Sequence, residues 1–304
     1  MSEYNRQFSN KEKEKKISKF NNIYYNYRNR NWKVDRLPNW MEFYGYNLDK
    51  ELNNKLPKYY RVFRQGTVVM MDYGIRIGSE MSGLHFGVIL NSNDNKYKRT
   101  VITVPLSSHE QRDYVDLGYQ MFQSAIDVID QREKEMENSI KYLQSTVKKI
   151  PKNKAIKLRI ETINYLQSNN IDTSIMKKDI KFDILKGDNE LECWINLVKK
   201  LNDYKKFTDL KEFIDILDNY IKTQHNVVNK INSIRKSLKD FQKLQNEIYK
   251  YNKRTYAAVN DIGVVSKLRV TKIGNYTLSG NIKFPKEAIA AILLKLNKIF
   301  DIKE

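Results

Sequence analysis

The 304-residue chain carries 55 Lys and Arg against 36 Asp and Glu, a formal charge of +19, with 40% hydrophobic residues and only 11 Gly and 5 Pro. That supplies enough apolar material for one large domain or two moderate ones, and the scarcity of Gly and Pro argues for long helices over a turn-rich β protein. A single cysteine, Cys193, excludes an internal disulfide and a cysteine-rich metal site. No apolar run approaches the roughly 18 residues of a membrane span, and the N-terminus has no apolar signal core, so the expectation is a cytoplasmic protein with no membrane partner.

A positive excess of this size attracts polyanions over long distances and makes nucleic acid the expected partner. The alternative origin of the charge is solvated helix surface, as in the mixed run Lys11-Glu12-Lys13-Glu14-Lys15-Lys16.

Residues 1–58 read as a basic, aromatic N-terminal extension. Tyr24, Tyr25, Tyr27, Trp32, Trp40, Phe43, Tyr44 and Tyr46 are interleaved with Arg28, Arg30, Lys33 and Arg36. Such a pattern either stacks bases while cations hold phosphates or packs the extension onto the main domain. Pro38 and Pro57 are expected to break it. From Tyr60 short β-branched runs begin: Thr67 to Met71, Phe86 to Leu90 and Val101 to Leu106, with Asn91-Ser92-Asn93-Asp94-Asn95 as a turn.

After Gly118 the period becomes helical. Phe122, Ile126, Ile129, Met136, Ile140, Leu143 and Val147 form one apolar stripe, and Val227, Ile231, Ile234, Leu238, Phe241, Ile248 and Tyr251 form another. Two such seams predict an antiparallel helical hairpin or coiled-coil arm. Shorter helices are expected between them, at Ile156 to Ile163, at Leu191 to Leu201 and at Phe207 to Ile221. Strand signal resumes at Tyr256 to Val259, Gly263 to Val265, Val270 to Ile273 and Tyr276 to Leu278, and a helix opens after Pro285. The organisation expected is one β domain, residues 59–118 and 254–304, interrupted by an inserted helical arm at 119–253.

No phosphate-binding GxxxxGK[ST] loop, HExxH, GxSxG or paired Cys/His spacing is present, and the three histidines stand at 85, 109 and 225. The informative run is Arg64-Gln65-Gly66, the apolar stretch Thr67 to Met71, the loop Gly78-Ser79-Glu80 with Gly83 and His85, and Phe86-Gly87-Val88-Ile89-Leu90-Asn91. It resembles the opening of the MazF/PemK-like toxins. Thr103 to Ser108 is similar to the third strand of that family, and Ala258 to Val270 is similar to a later block, so the resemblance covers residues 60–108 and 254–273.

The resemblance implies a small SH3-like β-barrel within an α+β protein, and metal-independent endoribonuclease activity on single-stranded RNA without a cofactor. It further implies a role as the toxin of a toxin-antitoxin or phage-defence module, an acidic antitoxin as partner, and a homodimer. It assigns catalysis to His85 and Ser107, standing where family members have Arg and Thr or Ser. Substrate contacts would come from Gly78, Ser79 and Glu80, from Asp261, Lys267 and Arg269, and, on position alone, from Lys96, Lys98, Arg99, His109 and Arg112. Gly263 stands where the family has a further Arg.

Physically, metal-free RNA cleavage needs a base for the 2′-OH proton, an acid for the leaving 5′-oxygen and donors for the phosphate. An imidazole at 85 titrates in the right range, while Ser107 and backbone N–H groups of the 78–80 loop are of the donor type. The competing expectation is a catalytically silent relative that binds nucleic acid or protein as a regulator.

Overall fold

The computed structural model describes residues 7–148, 158–174, 176, 188–204 and 206–301. The chain divides into two compact units, residues 1–128 with 244–304 and residues 129–243.

In the first unit two N-terminal helices, α1 (Asn10–Asn26) and α2 (Trp32–Leu52), precede an antiparallel sheet. Ser9 and Glu12 form a capping box at the start of α1. Pro38 lies inside α2 rather than breaking it. Its ring is on the exposed side, where water can satisfy the carbonyl that loses its helical donor.

The strands are β1 (Val68–Asp72), β2 (Leu84–Ile89), β3 (Thr100–Ser107), β4 (Val115–Asp116), β5 (Tyr256–Ala257), β6 (Gly263–Ser266) and β7 (Val270–Thr271). The order is β4-β5-β3-β2-β1-β7, with β6 also on β3. No strand forms at Tyr276 to Leu278. There the Thr277 hydroxyl donates to the Gly274 carbonyl and accepts from the Gly274 N–H, which holds a turn.

β3 spends one edge on β2 and divides the other between β5, at Leu106 and Ser107, and β6, at Thr100 to Thr103. From Leu106↔Ala257 to Thr103↔Gly263 the ladder consumes three residues of β3 but six of the opposing segment. The surplus lifts off as a 3-10 turn, Val259–Asp261. The sheet is not closed into the expected barrel. The branch strand β6 and the end strand β7 are joined covalently by a second 3-10 turn, Lys267–Arg269, whose residues are taken out of ladder geometry.

Phe63, Val69, Met71, Tyr73, Ile89, Val101 and Val265 form the core under this sheet. Tyr73 is buried with its hydroxyl 3.2 Å from Thr103 Oγ1, and burial pushes its phenol up to about 12. A Cβ at position 87 would stand 2.2 Å from that hydroxyl, so glycine is required there by close approach.

The second unit has its own core of Leu166, Leu201, Leu210, Phe213, Ile214 and Leu217. It contains α4 (Ile160–Ser168) and α5 (Asp188–Leu201). The long helices α3 (Gln120–Lys148) and α6 (Thr208–Ile248) run through the division between the units. α6 unites what the sequence suggests are two helices, because no Gly or Pro interrupts residues 208–248. Of the expected α3 stripe Phe122, Ile129, Met136, Leu143 and Val147 are partly buried while Ile126 and Ile140 are exposed and Ala125 and Val128 are buried instead, since a straight helix of 3.6 residues per turn drifts away from a seven-residue pattern. Ile156 lies outside the described residues. Within this unit Lys230 of α6 places its ammonium 6.0 Å above the Tyr142 ring of α3.

One ion pair is sealed inside the first unit. Lys267 Nζ lies 2.7 Å from Asp94 Oδ1, with side chains 2% and 1% exposed, and Asp94 also accepts the Phe63 N–H at 2.8 Å. Removing one partner of such a pair leaves an uncompensated buried charge. Lys267→Met is therefore expected to destabilise this unit by about 3–5 kcal/mol, measured by denaturant unfolding in a Trp194→Phe background, where Trp32 and Trp40 report on the first unit.

Candidate functional site

The β2–β3 register pairs Gly87 with Pro105, and continued by two residues it sets His85 opposite Ser107 at one end of the sheet. Before His85 the chain makes the loop of residues 74–83, whose turns use positive φ at Gly74, Gly78 and Gly83. Gly74 is needed twice over, for its φ of +77° and because the Trp40 ring lies where a Cβ would stand. The backbone of the loop is satisfied from several directions. The Met81 N–H donates to Asp261 Oδ1 at 2.9 Å, the Arg76 N–H to Ser82 Oγ at 3.0 Å, and Lys33 Nζ of α2 donates to the carbonyls of Arg76 and Gly78 at 2.9 and 2.7 Å. The 3-10 excursion of the fold thus carries Asp261 to the loop.

His85 is half-buried. Desolvation holds its imidazole below the ordinary 6.5, helped by the positive charge of Arg36; hydrogen bonding to the backbone at Ser82 and Leu106 and the carboxylate of Asp261 act the other way. At neutral pH these opposing influences leave the neutral form of the ring favoured, the form a general base requires. Ser107 Oγ donates to the His109 carbonyl and accepts the His109 N–H, both at 3.0 Å, so its hydroxyl also shapes its own turn.

The other expected residues separate. Gly78, Ser79 and Glu80 are exposed on the loop, with Glu80 3.8 Å from Arg76. Asp261 is a loop anchor. His109 is exposed beside Ser107, whereas the Arg112 side chain is 97% exposed, 3.9 Å from Asp113. Lys96, Lys98 and Arg99 lie at the other end of β2 and β3, roughly 15 Å from His85 at about 3.3 Å per strand residue. Lys96 sits over the Tyr59 and Tyr97 rings, and Lys98 donates to the Asn93 carbonyl. Lys267 is the buried partner of Asp94 and offers no surface to a substrate. Arg269 is half-buried over the Trp40 ring at 4.8 Å, and burial lowers its pKa.

A cleft of about 270 Å³ opens at this end of the sheet, and His85 and Ser107 line it together with Leu84 and Phe86. Lys250, Tyr251, Lys253 and Arg254 help to line it, and the Tyr251 ring meets Phe86 edge-on at 5.2 Å. Arg254 is paired with Asp116. These residues were missed because they lie at the end of a helical stripe, just before strand signal resumes, where only the run of Lys250, Lys253 and Arg254 could have marked them. Among the described residues no group of three His, Cys, Asp or Glu side chains is placed to hold a metal ion, and no helix is long and apolar enough to cross a membrane.

The depressed His85 pKa has a sign. As pH falls the unfolded chain takes up the proton first, so the contribution of the neutral ring is complete above pH 6.5 and is lost as pH falls through the lower folded value. Between pH 7.5 and pH 5 the wild-type protein is expected to lose more stability than His85→Gln, read by thermal unfolding at both pH values. An equal loss in the two proteins is the contrary outcome.

Comparison with curated proteins gives no match, and comparison with solved structures gives none. Residues 64–177, just over a third of the chain and carrying β1 to β4 with His85 and Ser107, match the family model of the PemK-like, MazF-like toxin of type II toxin-antitoxin system.

Proposed function

We propose that the protein is an endoribonuclease that cleaves single-stranded RNA without a metal ion, as the toxin of a toxin-antitoxin or phage-defence module. The observation that carries this is the placement of a neutral imidazole opposite a hydroxyl at one end of the sheet, inside the segment that matches the toxin family. A charge of +19 suits both an RNA substrate and an acidic antitoxin.

In this mechanism His85 takes the 2′-OH proton. The 2′-oxygen bonds to phosphorus, the bond to the 5′-oxygen breaks, and the 5′-oxygen leaves with a proton from water, giving a 2′,3′-cyclic phosphate and a 5′-hydroxyl end. Ser107 and the N–H groups of the 78–80 loop act as donors to the phosphate. In this view the open sheet corresponds to the SH3-like barrel of the resembling family, with β6 and β7 linked through the Lys267–Arg269 turn and not by a ladder. Residues 119–253 are an insertion into it, a reading supported by backbone hydrogen bonds from Leu117 to Thr255 and from Thr255 to Gly118 that clasp the two ends.

A second reading, a silent relative that binds RNA or protein, is favoured by Gly263, which leaves the site without the cation found there in the resembling family, and by the commitment of the Ser107 hydroxyl to His109.

A long single-stranded RNA incubated with purified protein in EDTA separates the two. Cleavage to cyclic-phosphate ends is expected, with His85→Ala slower by about 10²–10⁴ at little cost to RNA binding and Ser107→Ala affected less. Activity lost in EDTA and restored by Mg²⁺ would sink the mechanism; binding without cleavage would establish the second reading.

A further inference from the structure

A metal-free attack on a phosphodiester concentrates negative charge on the phosphoryl oxygens, so the site needs a cation as well as a base. The sheet itself does not offer one beside His85. Position 263 is glycine. Lys267 is sealed against Asp94 and Arg269 is set over Trp40. Arg76, on the loop, lies 5.6 Å over the Tyr73 ring and 3.8 Å from Glu80.

The missing charge comes from outside the family-matched segment. α2 lies along the 74–83 loop, held at one place by Lys33 on the carbonyls of Arg76 and Gly78 and at another by Trp40 in the space above Gly74. Between these two anchors, one helical turn beyond Lys33, stands Arg36. Its Nη1 is 3.1 Å from the point where a Cβ on Gly83 would be, two residues before His85. Gly83 is held at a φ of +84°, and its bare Cα leaves the guanidinium room at this approach. Arg36 is exposed, and among the described residues no carboxylate pairs with it. Its five N–H donors suit a phosphate better than an ammonium would.

We propose that Arg36 of the N-terminal helix supplies to the His85 site the phosphate-binding guanidinium that the sheet lacks, so that a phosphodiester is gripped between α2 and the 74–83 loop. The proposal deepens the endoribonuclease reading and rests on it for the catalytic consequence alone; phosphate binding by Arg36 stands on the geometry. The charge of Arg36 already bears on His85, lowering its pKa, while Asp261 opposes it. One acts on the ring from α2 and the other from the 3-10 turn, while Lys250, Lys253 and Arg254 line the cleft that His85 and Ser107 also line.

Two measurements test it. In the first, His85 is followed by NMR in the full-length protein while inorganic phosphate, and then a short single-stranded oligodeoxynucleotide, is added. Both probes are inert to 2′-OH chemistry. Phosphate is expected to shift the wild-type His85 resonance, Arg36→Ala to abolish that shift and to raise the His85 midpoint, and Arg36→Lys to restore part of both. The exposed Lys19→Ala, with the same loss of net charge, is expected to change neither.

In the second, single-turnover cleavage of a long RNA is expected to fall by about 10²–10³ in Arg36→Ala and to recover in part when free guanidinium ion is added, which a merely structural defect would not do. If phosphate acts on His85 equally in wild type and Arg36→Ala, the proposal is overturned whether or not RNA is cleaved. If phosphate binding depends on Arg36 but the wild type cleaves nothing, the phosphate site stands and the endoribonuclease reading fails. Cleavage that Arg36→Ala leaves at the wild-type rate overturns the catalytic part.

Discussion

β3 is the strand whose backbone the rest of the first unit must satisfy. One edge is met locally by β2, joined to it by residues 90–99, but a buried row of N–H and C=O groups on the second edge cannot be left without partners. The partners arrive from residues 256–266, about 150 positions later in the chain. This single requirement brings the two ends of the intervening segment together. Leu117 and Gly118 on one side and Thr255 on the other are hydrogen-bonded to each other, so the excursion between them starts and finishes at one point. Loop-closure entropy grows only logarithmically with length, by about 0.6 kcal/mol per doubling, which is why so long an interruption is compatible with the sheet. Its cost falls on folding speed, because a non-local pairing forms late.

The same constraint makes the site. Because the returning segment carries three more residues than β3 can pair, the surplus leaves the ladder as a 3-10 turn, and its last residue, Asp261, reaches the 74–83 loop. A loop with three glycines at positive φ has a large conformational entropy to lose. It is ordered by donors and acceptors from elsewhere: Asp261 from the C-terminal segment and Lys33 from the N-terminal helix. Three regions distant in sequence therefore converge on the stretch just before His85, and the local segment alone would not hold that geometry.

What the sequence discloses, and what it hides, follows from this. His85 and Ser107 are legible because period-2 strands with a turn between them determine which residues face each other, and register does the rest. The strand blocks at 67–71, 86–90 and 101–106 and the helix after Pro285 are legible for the same local reason. Lys267 is not: in the sequence it is a cation amid polar residues, and only the arrival of Asp94 from a turn more than 170 positions away makes it a buried strut. α6 reads as two helices because the polar run Lys222-Thr223-Gln224-His225-Asn226 separates its apolar residues, although no Gly or Pro in residues 208–248 breaks a helix. Tyr276 to Leu278 carries β-forming residues, yet the Thr277 hydroxyl satisfies the backbone of Gly274 and makes a turn more favourable. The role of Gly83 is invisible without the helix that passes over it.

The net charge is where sequence and structure diverge most usefully. A total of +19 describes the far field, which steers a polyanion toward the protein and weakens with salt, but it does not say which cations can meet a phosphate at contact distance. Lys267 is spent on a buried carboxylate, Lys33 on two carbonyls, Arg269 on an indole, and Arg254 on Asp116. The first three hold the fold together and are thereby removed from the set that a ligand can recruit, while the exposed Arg254 pair stays within reach of the cleft. The distinction between structural and available charge is set by proximity to acceptors, a tertiary property. It explains why an arginine of the family-matched segment such as Arg76 can be committed to its own neighbours, and why a cation beside His85 stands on a helix that the match does not reach.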